Sequence, residues 1–150
     1  MVITTPYFIP DEALVQALKT AVLRGVEVSL VVPHETGHLL VHLAQRSYYS
    51  DLLRFGVRIH SYRERSLHAK PITIDQDIAL IGSSNVDIRS FVLNAEVSLV
   101  VYDRSVVQRL RIEQERYFAA SEVLTREAWE DRSILTKTWE NLARLAAPPL

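Results

Sequence analysis

Strand-like and helix-like segments alternate along this chain, and the alternation restricts the fold more than any other feature. Short apolar runs such as Val26–Val32 are followed by stretches in which leucines recur at helical spacing, with Gly or Pro between them. In chain order we predict strand 2–5, a helix at about 11–24 capped by Asp11, strand 26–32, a helix at about 38–54, strands 57–60, 67–75, 78–82 and 94–102, a helix from 104, and a last helix at about 131–146. This order predicts an α/β fold in which helices pack on a mixed β-sheet.

Length and composition are those of one globular domain, which we expect to span residues 1–150. The 150 residues are 48% hydrophobic and 23% charged, which is enough apolar material for a core without the bias of a disordered chain. The absence of cysteine excludes a disulfide scaffold, a thiolate zinc site and a cysteine nucleophile. No apolar run approaches the ~18 residues of a membrane span, so we expect a soluble domain. A net charge of -1 argues against a surface that binds nucleic acid throughout.

Basic side chains concentrate in one segment, from Arg54 to Lys70. It holds Arg54, Arg58, Arg63, Arg65 and Lys70, together with His60 and His68, against the single acidic residue Glu64. Two interpretations stay open: an ordinary solvated loop and strand face, or a positive rim that draws a phosphate-bearing substrate toward position 68.

The segment His34-Glu35-Thr36-Gly37-His38 formally matches the zinc-protease pattern H-E-x-x-H, and His42 follows at the next i+4 position. A protease would need both histidines on one rigid helix, but Pro33 and Gly37 bracket the first turn. We therefore favour a loop with surface histidines, and we expect at most an adventitious metal site there and no metal in the function.

A longer pattern reads His68-x-Lys70, four residues, Asp75, six residues, then Gly82-Ser83-x-Asn85. If 67–75 is extended, His68 and Lys70 point to one face of the strand, about 6.6–6.8 Å apart. A neutral imidazole nitrogen can attack phosphorus, and a neighbouring ammonium can hold phosphate oxygens. The pattern thus predicts chemistry on a phosphate ester, with His68 and Lys70 at its centre.

Further polar residues of this pattern fit a phosphate site. Ser83 and Asn85 lie two apart after a dense apolar strand and can donate hydrogen bonds to one phosphate, while Gly82 would let backbone approach the ligand. Glu96, on the next predicted strand, is the candidate carboxylate that orients the second nitrogen of His68. We group Asp75 with the catalytic motif, but as a residue that fixes the hairpin turn.

These residues match the His-x-Lys-x4-Asp-x6-Gly-Ser-x-Asn signature of the phospholipase D superfamily. The likeness extends over essentially the whole chain and is greatest to the C-terminal half of bacterial cardiolipin synthases. It rests on TPYFIPDEALVQAL (5–18), RSYYSDLLRFGVRIHSY (46–62), LHAK (67–70), GSSNVDIRSFVLNAEVSLVVYD (82–103) and ENLARLAAPPL (140–150).

The resemblance implies the phospholipase D fold and phosphatidyl transfer in two steps. A histidine attacks a phospholipid phosphodiester, and an alcohol, in cardiolipin synthases that of a phosphatidylglycerol-like lipid, then displaces the phosphohistidine. By position, His68 would be the reacting histidine, Lys70, Ser83 and Asn85 the phosphate ligands, and Glu96 the supporting carboxylate. No cofactor, metal or nucleic acid is implied.

One feature departs from the family, because members work with two such motifs and this chain has one. We expect a C-terminal catalytic half whose partner motif lies elsewhere in a longer enzyme at the bacterial cytoplasmic membrane, and whose pairing face exposes apolar surface. The alternatives are a homodimeric single-motif phosphodiesterase or nuclease, and a binding module without catalysis. The residues leave open whether His68 is the nucleophile or the general acid and base.

Overall fold

The centre of the molecule is a seven-stranded mixed sheet. The computed structural model describes residues 1–64 and 67–146. The elements are β1 (Val2–Thr4), β2 (Phe8–Ile9), α1 (Glu12–Leu23), β3 (Ser29–Pro33), α2 (Leu39–Ser47), α3 (Tyr49–Phe55), β4 (Arg58–Tyr62), β5 (Ile72–Ile74), β6 (Ile78–Gly82), β7 (Val86–Asp87), α4 (Ile88–Val92), β8 (Ser98–Val101), α5 (Arg104–Ala119), β9 (Ser121–Leu124), α6 (Arg126–Glu130) and α7 (Ile134–Ala146).

The strand order is β8-β6-β5-β1-β3-β4-β9, and a separate two-stranded sheet joins β2 to β7. Strands β1, β3 and β4 are parallel, whereas β5, β6 and β8 continue the sheet as antiparallel neighbours on one side and β9 closes the other. Parallel pairing of β2 with β7 fastens the loop after β1 to the chain just beyond Gly82. The predicted fold class, a mixed sheet flanked by helices, is confirmed.

Alternating side chains divide the sheet into two faces. Ile3, Leu30 and Ile59 belong to the larger core, with residues of α1, α2, α3, α6 and α7. Val2 and Val31 point to the other face, where they pack with Leu67 and with the end of α5. Because Leu67 directly precedes His68, this second layer anchors the motif to the sheet.

Helix α5 is pinned to the sheet by a glutamine that sequence analysis did not single out. Gln114 is fully buried; its Oε1 accepts from Thr73 Oγ1 at 2.6 Å, and its Nε2 lies 3.2 Å from Thr4 Oγ1 and 3.3 Å from the Pro71 carbonyl. One amide therefore joins α5, β1 and β5 beside the motif.

Several predicted boundaries were wrong. The helix at 38–54 is two helices, with the buried Tyr48 between them packed edge-on against Phe8. The strand at 67–75 begins only at Ile72, since Pro71 has no N–H to give to a ladder. The short elements β2, β7, α4, β9 and α6 were not predicted.

Candidate active site

The histidine and lysine of the motif meet at the edge of the sheet, in the segment that leads into β5. His68 is exposed and Lys70 is half-buried. The ammonium of Lys70 lies 3.3 Å from His68 Nε2 and donates to the His68 carbonyl at 2.9 Å. The Pro71 carbonyl, held by Thr4 N at 3.0 Å and by Gln114, fixes the next residue. The expectation that the two side chains share one side is met, although the segment is not a strand.

The contact between Lys70 and His68 indicates which of the two side chains donates the hydrogen bond. An ammonium has only hydrogens to offer, so Nε2 must present its lone pair toward Lys70. An attack on phosphorus, or the acceptance of a proton, would use this same lone pair and would require Lys70 to release it. Partial burial lowers the pKa of Lys70, and the carboxylate of Glu96 opposes that shift. The lysine is thus a partly desolvated cation beside the histidine.

Ser83 and Glu96 form the second part of the site. The Ser83 hydroxyl donates to Glu96 Oε2, and Asn94 Nδ2 lies 3.4 Å from the other carboxylate oxygen. The Ser83 hydrogen bond, before the others, lowers the pKa of Glu96. In the part of the chain that the structure describes, Glu96 contacts Ser83 and Asn94 rather than His68, so its predicted role toward the histidine remains a prediction. It is also half-buried just before β8, not buried within a strand.

Gly82 meets a steric requirement that sequence analysis did not find. A Cβ there would lie 2.9 Å from Ser98 Cα and closer still to the Val97 carbonyl oxygen. The backbone at the start of β8 therefore requires glycine at this position, and the expected approach of a ligand to Gly82 stays a prediction. Close approach of β8 also brings Ser83 N to the Val97 carbonyl at 3.0 Å and so sets the serine in place.

Asn85 completes the polar set. Its backbone N–H is held by Ser90 Oγ at 3.2 Å, and Ser90 N is in turn capped by Asp87 at 2.7 Å. The side-chain Oδ1 of Asn85 is buried without a partner among residues 1–64 and 67–146. The fold thus positions Asn85 through its backbone and leaves its amide oxygen without a partner there. Because that oxygen only accepts hydrogen bonds, a phosphate would be held by the Nδ2 hydrogens.

These residues surround one cavity of about 680 Å³. Its wall includes His68, Lys70, Ser83 and Asn85 from the motif, and Ala69, Pro71, Ile81, Gly82, Leu110, Glu113 and Tyr117. Sequence analysis missed the last three, which come from α5. Val107, Leu110, Gln114 and Tyr117 follow helical spacing, and the glutamine within that apolar stripe was the available signal.

Asp75 is separated from this cavity. It lies in the turn between β5 and β6 with φ 52, at the end of the hairpin opposite to Lys70 and Gly82. Aspartate tolerates the left-handed conformation that this turn requires. Its inclusion with the catalytic residues does not fit this position, whereas the structural role in the hairpin does.

The zinc-protease pattern does not form a site. His34 to His38 lie in the loop between β3 and α2, and His34 Nδ1 is 3.0 Å from Ser61 Oγ. Within the described residues no group of three or more histidine, aspartate or glutamate side chains is arranged to hold a metal. The loop interpretation is therefore the correct one.

The described residues of the basic segment do not form a continuous rim. Arg58 pairs with Glu27 at 3.6 Å, Arg63 pairs with Glu122, and His60 is buried against the ring of Phe118 at 4.2 Å. Arg65 lies outside the described residues, as do the last four residues of the chain. Of this group, His68 and Lys70 face the cavity.

The fold is that of the phospholipase D family. The fold matches Nuc of Salmonella typhimurium, a phospholipase D family member, with a TM-score of 0.70 at 18% identity over 82% of this chain and 80% of that one. It also matches phosphatidylserine synthase of Haemophilus influenzae, with a TM-score of 0.71 at 22% identity over 99% of this chain and 40% of that one. At such identities these likenesses show the fold.

The sequence comparisons identify the family within this class. The family model described as cardiolipin synthase, PLD-like domain, matches residues 1–118, and the chain belongs to this family. Similar relatives are cardiolipin synthase of Oceanobacillus iheyensis, 45% identical over 99% of this chain, and cardiolipin synthase A of Proteus mirabilis, 37% identical over all of it. The chain spans 31% of the length of each. No helix in the described ranges is both long and apolar enough to cross a bilayer.

Proposed function

We propose that this chain supplies one of the two motifs of a phosphatidyltransferase of the cardiolipin-synthase type. The observation that carries the proposal is the meeting of His68 Nε2 and Lys70 Nζ at 3.3 Å, on a cavity that Ser83 and Asn85 also line. Membership of the cardiolipin synthase family supports phospholipid as the substrate. A phosphatidylglycerol-like lipid is the expected donor.

The geometry suits transfer through a phosphohistidine. Lys70 and the amide hydrogens of Asn85 would hold the non-bridging oxygens and stabilise the charge that grows on them. Ser83 would join them by exchanging the hydrogen bond that its hydroxyl donates to Glu96 for one to phosphate. A histidine nitrogen forms a bond to phosphorus while the bond to the leaving alcohol oxygen breaks. A second imidazole gives that oxygen a proton and later removes one from the incoming alcohol, whose oxygen displaces the histidine.

The second imidazole has to come from another motif. Among the described residues, His68 is the one histidine on the wall of the large cavity.

Strand β8, the terminal strand of the sheet, lies beside Ser83 and leaves one edge without a partner strand in the described part of the chain. Apolar side chains exposed on β8 and its approach are Phe91, Val92, Leu93, Val97, Leu99, Val100 and Tyr102. We propose this surface as the pairing face, because an exposed apolar edge strand is an association site and pairing here would bring a second motif to the first.

The homodimeric nuclease alternative is less well supported. The relatives at 37–45% identity are cardiolipin synthases, whereas Nuc is 18% identical. Molar mass by light scattering separates the two: a stable dimer that hydrolyses phosphodiesters without any further polypeptide would favour the alternative.

The test is phosphatidyl transfer by the site completed with its second motif, in the longer enzyme or with a separately supplied half. Wild type should convert phosphatidylglycerol to cardiolipin, and His68→Ala should lose at least a thousandfold in rate. Ser83→Ala should lose activity while the neighbouring Ser84→Ala keeps it. Transfer that survives His68→Ala in folded protein would contradict the proposal, and so would a completed, folded site with no transfer.

A further inference from the structure

A second cavity opens at the end of the sheet away from the candidate active site. Its volume is about 330 Å³, and its wall is made by Gln76, Arg104, Gln108 and Arg111. Gln76 lies in the turn between β5 and β6, at the end of the hairpin opposite to the motif residues. The other three residues belong to α5, the helix whose later turns line the active cavity. The two cavities have no wall residue in common.

The spacing of the three α5 residues explains why they share one wall. Positions 104, 108 and 111 are separated by four and then three residues, so they lie on one face of the helix. Arg104 brings this face to the turn that carries Gln76, because its Nε and Nη2 both lie 2.7 Å from Asp77 Oδ1. That ion pair joins the turn to the start of the helix, next to the cavity.

The wall offers hydrogen-bond donors and positive charge, and within the described residues it includes no carboxylate. Each of its four side chains ends in N–H groups, which belong to two guanidinium groups and two amides. A guanidinium presents its N–H groups as a planar fork that matches the oxygens of phosphate. The amide N–H groups can donate to the remaining oxygens. This composition fits an oxyanion and disfavours a cation or an apolar ligand.

Arg111 supplies positive charge that its neighbours do not neutralise. Asp77 offsets the charge of Arg104, and Arg116 on the same helix pairs with Glu113 at 2.8 Å. Arg111 is half-buried, and among residues 1–64 and 67–146 it forms no ion pair. A partly desolvated cation without a counter-charge favours the binding of an anion, because the anion replaces the water that burial has removed.

We propose that this cavity binds a phosphate group, that of free inorganic phosphate or that of an anionic phospholipid headgroup. The volume is roughly ten times the ~30 Å³ that one water takes up in the liquid, which leaves room for a phosphate with an ester substituent or with part of its hydration. Its wall in the described part of the chain includes no histidine, so the phosphate is bound there without being transferred. The site goes beyond the proposed function and does not depend on it.

Titration of this chain with inorganic phosphate, followed by NMR, tests the site. Phosphate should shift the amides of residues 76 and 104–111 in wild type and in His68→Ala, whereas sodium chloride at equal ionic strength should not. Arg111→Gln should weaken this binding about tenfold or more, as expected for the loss of a charge-assisted hydrogen bond. The matched control is Arg109→Gln, which removes the same charge from an exposed position of α5 outside the wall and should bind as wild type.

Vesicles distinguish the two sources of the phosphate. Flotation with phosphatidylcholine vesicles that contain phosphatidylglycerol, reduced in Arg111→Gln but not in Arg109→Gln, would assign the site to a lipid headgroup. Binding of inorganic phosphate without such flotation would assign it to the free ion. The proposal is overturned if neither probe binds, if chloride gives the same shifts as phosphate, or if the two arginine variants weaken binding equally.

Discussion

Replacing Gln114 by methionine tests whether one buried amide holds the motif segment to the sheet. The side chains of Gln114, Thr4 and Thr73 are all fully buried. Methionine keeps the volume but leaves the two threonine hydroxyls without the partner they have now. The Pro71 carbonyl keeps its bond from Thr4 N at 3.0 Å. At about 1–3 kcal/mol for each orphaned group, the expected loss in free energy of unfolding is roughly 3 kcal/mol.

Urea denaturation followed by circular dichroism measures this loss. For a domain of this size ~3 kcal/mol corresponds to a fall in Tm of about 6–12 °C. Gln108→Met is the matched control, because Gln108 is exposed on the same helix and should change stability by less than about 0.5 kcal/mol. If Gln114→Met is no more destabilising than Gln108→Met, the three hydrogen bonds do not anchor the segment and the argument is refuted.

Three further predictions concern pH and metal. Burial lowers the pKa of Lys70, so the rate of transfer should fall at alkaline pH as the ammonium loses its proton. Lys70→Arg should be slower overall and should move this alkaline fall of the pH–rate profile to higher pH, because guanidinium stays charged. Burial, and then Arg58, lower the pKa of His60 from 6.5, so its contribution to stability is complete above about pH 6.5 and is lost as pH falls. His60→Phe should weaken this pH dependence of the free energy of unfolding in denaturation curves. The part that remains is expected from His42, whose pKa is also lowered by burial. Transfer by the completed site should persist in EDTA, and loss that zinc or magnesium restores would argue against the proposed chemistry.

The parts of the fold that could be predicted are those that local spacing encodes. Twelve-residue α1 with its Asp11 cap, and the dense strand β6, have their periodicity within one window of sequence. Two-residue β2 and β7 exist only because they pair with each other across 78 positions in the chain, Phe8 with Val86, and no local pattern marks such a strand.

The site shows the same difference between what local spacing predicts and what depends on distant parts of the chain. His68 and Lys70 could be paired from their spacing, and their contact at 3.3 Å bears this out even though the segment is not a strand. Gln114 is 46 residues from His68 in sequence, and the packing of α5 on β1 and β5 brings its amide to the Pro71 carbonyl beside the motif. Spacing pairs the residues of the motif, whereas tertiary structure brings in the side chains that hold the motif in place.

Gly82→Ala tests two explanations for the glycine at position 82: close approach of a ligand, which the sequence indicates, and close packing of β8, which the structure shows. If glycine is needed only so that a ligand can approach, alanine should raise KM and leave stability unchanged. The structure instead predicts a loss of stability. The new Cβ would lie 2.9 Å from Ser98 Cα and nearer still to the Val97 carbonyl, so β8 would have to move away. Overpacking of this kind costs about 1–3 kcal/mol. Gly37→Ala, with no atom within 4 Å of the added Cβ, is the stability control. Since β8 also places Ser83 against Glu96, Gly82→Ala should lower kcat and the Tm together, and a variant of normal Tm with raised KM would restore the ligand explanation.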